Sequence, residues 1–185
     1  VDVIEAGFPA ASPTEFKAVQ AVARQVRKAS ICGLARCVPR DVDAAAEAGA
    51  GAARPRIHVF VNASEVQLAH QLRRDHDDVL ELATAMIARA HKAVGDVEFS
   101  PMDATRADRP FLAQLVQAAI AAGARTINIP DTVGYALPHQ VADLFRFLRE
   151  TVSGIDAAVL SFHGQNDLGM ASANAMAAVG AGARQ

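Results

Sequence analysis

The chain has 185 residues, enough for one domain with a sizeable core. Its formal charge of −2, with no Lys/Arg run and no apolar stretch of transmembrane length, gives no reason to expect nucleic acid or a membrane as partner. Hydrophobic residues make up 51% and aromatics only 5%, which suits Ala-rich helices on buried strands rather than an aromatic-rich sandwich.

The opening Val1-Asp2-Val3-Ile4-Glu5 reads as a strand already under way, so the natural N-terminus is expected upstream of it. Val3–Phe8 is the first strand, ended by Pro9 and a small-residue loop. Pro13 to about Lys28 reads as a helix, with Ser12 as cap, Pro13 in the first turn and Phe16, Val19, Val22, Ala23 and Val26 at helical spacing. Ile31–Arg36 is a strand and Pro39–Ala48 a short helix, followed by a Gly/Ala-rich link. Arg56–Val61 is the third strand, with helices over Ser64–Leu72 and Asp77–Val94. Val97–Ser100 is a strand and Arg109–Ala122 a helix closed by Gly123. Thr126–Pro130 is a strand and Pro138–Arg149 a helix. Ala158–His163 is the sixth strand, and Leu168–Val179 a last helix that Gly180 ends. Cys32 and Cys37 lack the C-x-x-C spacing and read as reduced structural thiols, which fits a cytoplasmic setting.

Strands and helices in strict succession predict a parallel sheet with crossover helices, its strands apolar on both faces. A doubly wound open sheet would show a glycine-rich phosphate loop after an early strand, but Gly49-Ala50-Gly51 follows a helix. In a (β/α)8 TIM barrel the chemistry collects at the C-terminal ends of many strands. That is where Glu5, Arg36, His58, Ser100, Asn128, Asp131, Thr132 and His163 fall. The barrel is favoured, as one incomplete domain over residues 1–185, since a whole barrel needs eight strands and ~250 residues.

Three segments carry candidate chemistry. In Ser161-Phe162-His163-Gly164-Gln165-Asn166-Asp167, His163 and Gln165 share a strand face and could both ligate a divalent metal; the alternative is a hydrogen-bonded core histidine. In Asn128-Ile129-Pro130-Asp131-Thr132-Val133-Gly134, a strand runs into a turn that can offer a hydroxyl and a carboxylate to a substrate, or merely cap and turn the chain. His58 sits mid-strand between apolar neighbours, where a satisfied core histidine is the more ordinary role. Ser100 faces the same way as Glu98.

The segments "VDVIEAGFPAASPTEF", "ARC", "RIHVF", "VEFSPMDATRAD", "AGARTINIPDTVGYALP" and "HGQNDLGMASANAMAAVGAGARQ" follow one another as in the 2-isopropylmalate synthase family, which the chain resembles over essentially its whole length. The resemblance implies a (β/α)-barrel, with about strands two to seven present, holding one divalent metal (magnesium, manganese or zinc). It implies an acyltransferase of leucine biosynthesis that condenses acetyl-CoA with 3-methyl-2-oxobutanoate and then hydrolyses the thioester. On it, His163 and Gln165 map to metal positions, and His58, Ser100, Thr132 and Asn128 to the substrate pocket. Glu5 and Arg36 join His58 as catalytic candidates, and the full-length protein is expected to be a homodimer.

Two positions depart from the pattern: Gln165 stands where the family usually has a second His, and Met102 where it usually has a Glu. A homocitrate- or citramalate-type synthase acting on another 2-oxo acid, or a truncated barrel without catalysis, are the alternatives these departures raise. The strand-one Arg-Asp pair, the eighth strand and a regulatory domain are expected outside these residues, so the chain alone is expected to be inactive.

Overall fold

Pro55–Asn62 shows the rule on which the sheet is built. Ile57, Val59 and Val61 point one way and are buried; Arg56, His58, Phe60 and Asn62 point the other. The apolar set packs against helices, and the mostly polar set turns towards the concave side of the sheet.

The computed structural model describes all residues, 1–185. In chain order the elements are β1 (Val3–Gly7), α1 (Pro13–Gln25), β2 (Ser30–Arg36), α2 (Pro39–Gly49), β3 (Pro55–Asn62), α3 (Glu65–Gln67), α4 (His76–Val94), β4 (Val97–Met102), α5 (Arg109–Ala121), β5 (Thr126–Asp131), α6 (Pro138–Thr151), β6 (Val159–Gly164) and α7 (Ala171–Gly180). All six strands are parallel and lie in the order β1-β2-β3-β4-β5-β6. Each strand neighbours the next in sequence, so the sheet curls steadily in one sense, as six strands of an incomplete (β/α) barrel. No helix is long and apolar enough to cross a membrane.

The core lies between sheet and helices. Ile57, Val59, Phe99, Ile127 and Ile129 meet Val79, Ile87, Leu112, Leu115, Phe145 and Leu148 in one cluster of 37 buried residues. The expectation of strands apolar on both faces is therefore corrected. Arg56, His58, Glu98, Ser100, Thr126, Asn128 and Ser161 form the concave face, so the strands alternate in the way of a half-solvated sheet.

Several boundaries move for local reasons. Ser12 Oγ caps α1 by accepting from Glu15 N–H at 3.1 Å, as its position predicts, but the helix stops at Gln25 because Val26 is extended. The stretch after Ser64 is one α-turn followed by a π-turn over Leu68–Leu72, ended by Arg73 in the left-handed region. α7 begins at Ala171 rather than Leu168: Asn166 Oδ1 accepts from Ala171 N–H, and Gly169, at φ 72°, turns the chain first. Cys32 and Cys37 are free and buried; burial raises both thiols, that of Cys37 to about 12.

Candidate active site at the open end of the barrel

The C-terminal ends of the strands surround a cavity of about 240 Å³. Parity along each strand selects its lining: Glu5 from β1, Leu34 from β2, His58 and Phe60 from β3, Ser100 and Met102 from β4, Asn128 and Pro130 from β5, Thr132 just beyond it, and His163 from β6 with Gln165 just after it. Leu34, Phe60, Met102 and Pro130 make an apolar part of the wall; the other side chains are polar.

A hydrogen-bonded chain runs across the middle of this cavity. Asn128 Nδ2 donates to Ser100 Oγ at 2.7 Å. Ser100 Oγ lies 2.7 Å from His58 Nε2, and His58 Nδ1 lies 2.6 Å from Glu5 Oε2. An amide nitrogen only donates, so Ser100 accepts there and meets His58 Nε2 with its hydrogen or its second lone pair; the Glu5 carboxylate only accepts. His58 then keeps its hydrogen on Nδ1 and donates it to the Glu5 carboxylate. Both ring nitrogens of His58 and the Ser100 hydroxyl are paired in this arrangement, although His58, Ser100 and Asn128 are buried. Glu5 is half-exposed at the outer end. Burial raises its carboxyl, but the hydrogen bond and charge of His58, with the charge of His163 added, outweigh this and leave it below its ordinary value.

Beneath the chain, one layer towards the N-terminal ends of the strands, Arg56 forms ion pairs with Asp96 at 2.9 Å and Glu98 at 3.1 Å. Gln185 joins them, accepting from Arg56 at 3.0 Å and donating to Glu98 at 2.9 Å. Its backbone pairs with β6 through Phe162 N–H, which donates to Gln185 O. This charged layer does not line the cavity; it ties together the two strands that carry His58 and Ser100.

His163 and Gln165 meet at the rim, where the Gln165 amide lies 3.4 Å from His163 Nε2. Two donors this close fit as part of a coordination shell. They do not complete one, since no group of three or more His, Cys, Asp or Glu side chains converges anywhere in the chain.

The fold thus brings Glu5, His58, Ser100, Asn128, Thr132, His163 and Gln165 to one cavity. Arg36 is not among them, and the picture of it beside the pocket is corrected. Its strand parity is right, but its guanidinium turns outward to the carboxylate of Asp41, at 2.6 Å and 3.2 Å, and over the ring of Phe8. Asp41 is buried in the first turn of α2, and its demand for a counter-charge decides where Arg36 goes. Leu34, Phe60 and Pro130 carry no polar group that would mark them in the sequence as lining residues. Their parity with Arg36, His58 and Asn128 was the signal.

The model of the HMGL-like family matches residues 1–185. A 2-isopropylmalate synthase from Nitrosococcus oceani is 56% identical over all 185 residues, and the chain spans 36% of its length. Among solved structures, the hydroxymethylglutaryl-CoA lyase from Pseudomonas aeruginosa superposes with a TM-score of 0.74 at 23% identity, covering 98% of this chain and 62% of that one. An HMG-CoA lyase from Acinetobacter baumannii, in complex with coenzyme A and 3-methylmalate, superposes with a TM-score of 0.72 at 20% identity, over 99% of this chain and 61% of that one. The chain spans about a third of the length of the curated relatives it matches.

Proposed function

This chain belongs to the HMGL-like family, and from that premise we propose that the protein containing it is a 2-isopropylmalate synthase, joining acetyl-CoA to 3-methyl-2-oxobutanoate. The observation that carries the reading is a cavity with two unlike sides, formed by residues of all six strands or the turns that directly follow them. Leu34, Phe60, Met102 and Pro130 suit a short branched alkyl group. Ser100, Thr132, His163 and Gln165 suit the oxygens of a 2-oxo acid.

His163 and Gln165 would contribute two ligands to a divalent metal: magnesium, manganese or zinc. When bound, that metal supplies Lewis acidity to the ketone. An amide oxygen in place of a second imidazole shifts the preference from zinc towards magnesium or manganese. The chain's own residues position and move protons. Thr132 supplies a hydroxyl to the oxo acid. Glu5 is the ionised carboxylate of the cavity, and its Oε atoms can take a proton from the acetyl methyl group. His58 Nδ1–H holds Glu5 in place, and Ser100 and Asn128 fix the imidazole in the orientation this requires. Arg36 takes no part. We place the protein in the cytoplasm, as a homodimer at full length with small-molecule substrates.

The test is release of the coenzyme A thiol by the full-length protein from acetyl-CoA, with a panel of 2-oxo acids and each of the three metals. The reading expects highest kcat/KM with 3-methyl-2-oxobutanoate and loss of turnover in His163→Ala. A preference for 2-oxoglutarate or pyruvate would assign the cavity to a homocitrate- or citramalate-type synthase. Absence of turnover with every acid would overturn the synthase reading.

A further inference from the structure

We propose that Asp103 is a positioning residue that fixes the Thr132 hydroxyl towards the ligand, with its hydrogen free to meet an oxygen acceptor at that point. This rests on the reading of the cavity as a 2-oxo acid site. Asp103 does not line the cavity. It is fully buried behind the rim, where β4 gives way to the loop before α5. Its backbone is left-handed at φ 66°, one of two non-glycine residues in the chain at positive φ. Such a conformation is unfavourable for an L-residue and persists where neighbours hold it.

Two side chains hold it. Ser64 Oγ donates to Asp103 Oδ2, and Arg106 donates through Nε at 2.9 Å and Nη2 at 2.6 Å. These bonds come from opposite sides: Ser64 follows β3, and Arg106 lies one turn further along the same loop. The consequence falls on the main chain. With the residue fixed in this conformation, Asp103 N–H points at Thr132 and donates to its Oγ1 at 2.8 Å. The same two loops are tied a second time by buried Asp131, which accepts from Thr105 Oγ1 at 2.9 Å and from Ala136 N–H at 3.2 Å.

A threonine hydroxyl has one hydrogen and two lone pairs. Asp103 N–H occupies a lone pair, and no protein acceptor takes the hydrogen. Thr132 lines the cavity, so that hydrogen is available there. A keto or carboxylate oxygen can accept it. A protonated 2-amino group has no lone pair to accept it and can only donate to the remaining lone pair of Oγ1. The clamp therefore contributes to binding a 2-oxo acid by fixing where that hydroxyl sits.

The experiment compares Asp103→Ala, Asp103→Asn, Thr132→Val and the double variant Asp103→Ala/Thr132→Val in the full-length protein. Asparagine tolerates the left-handed region and can still accept from Ser64 and Arg106. The clamp predicts that Asp103→Ala and Thr132→Val each raise KM for the 2-oxo acid about tenfold, the scale of one hydrogen bond to a charged or strongly polar oxygen. It predicts that KM for acetyl-CoA stays put, that the double variant is no worse than Thr132→Val, and that Asp103→Asn restores most of the loss. Additive effects in the double variant, or equal rises in both KM values, would overturn it. A second readout needs no turnover: Thr132→Val should speed amide hydrogen exchange at Asp103. Unchanged exchange sinks the clamp whatever the substrate. Faster exchange in a protein inactive on every 2-oxo acid leaves the clamp standing and removes the synthase reading alone.

Discussion

Ser100→Ala is the sharpest probe of the chain across the cavity. Ser100 Oγ accepts from the Asn128 amide and is hydrogen-bonded to His58 Nε2, each at 2.7 Å. The three residues are only 4%, 3% and 7% exposed, so the substitution strands two buried polar groups at once. Each buried group left without a partner costs about 1–3 kcal/mol, setting an upper bound of about 6 kcal/mol. The cavity of about 240 Å³ beside them admits water, which can re-pair one of the two. The expected loss is therefore about 2–3 kcal/mol. At a urea slope of about 2 kcal/mol per molar, this lowers the unfolding midpoint by about 1–1.5 M with the slope unchanged. The assay is urea unfolding of the full-length protein followed by far-ultraviolet circular dichroism. Ser100→Ala/Asn128→Leu, which removes donor and acceptor together, should cost less than the sum of the single changes. A midpoint within about 0.3 M of wild type for Ser100→Ala, under about 0.6 kcal/mol by the same slope, would refute the hydrogen-bonded chain.

Three further predictions rest on separate contacts. Glu5 has its carboxyl held below the ordinary 4.5, so its contribution to stability is present above that pH and is lost as pH falls through the lower folded value. Glu5→Gln should therefore be less stable than wild type at neutral pH, with the gap closing in acid below about 4.5; a gap that widens in acid would contradict the pairing with His58. Gly134→Ala places a Cβ at φ 65° within 3.0 Å of Asp167, on the loop after Gln165. The strain alone is about 1–2 kcal/mol, and calorimetric metal titration should show weaker binding alongside a lower Tm; an unaltered Tm would show that the turn has room. Arg36→Ala should leave kcat and both KM values within about twofold, while stranding buried Asp41 costs about 1–3 kcal/mol in urea unfolding. A steep fall in kcat would return Arg36 to the chemistry.

Much of the fold is written in local signals. Pro13, Pro39 and Pro138 each sit at the start of a helix, and the apolar runs between helices are the strands. What failed was the reading of those runs as uniformly apolar. Ile57, Val59 and Val61 caught the eye, while the alternation of Arg56 and His58 between them already declared a polar concave face. Leu168 falls in the helix that the sequence predicts over Leu168–Val179. Asn166 and Gly169 overrode that, because a side-chain amide that caps Ala171 N–H and a glycine at positive φ together make a turn.

The candidate site shows how far strand parity reaches. Glu5, His58, Ser100, Asn128 and His163 are all one-face residues near the ends of their strands, and the fold delivers all of them to one cavity. Parity fixes the direction of Cβ and no more. Arg36 has the right Cβ direction, yet its long side chain reaches past the rim to Asp41, a pairing that becomes legible only when α2 is seen to begin there. Asp103 fails in the opposite way. It has no place in the cavity, and its left-handed backbone is not announced by a glycine. Its influence passes through one backbone N–H to Thr132, across 29 residues of sequence. A reading residue by residue finds the groups that touch a ligand, because their chemistry is in their side chains. It misses a group that works by holding another, because that role exists only once two loops have met.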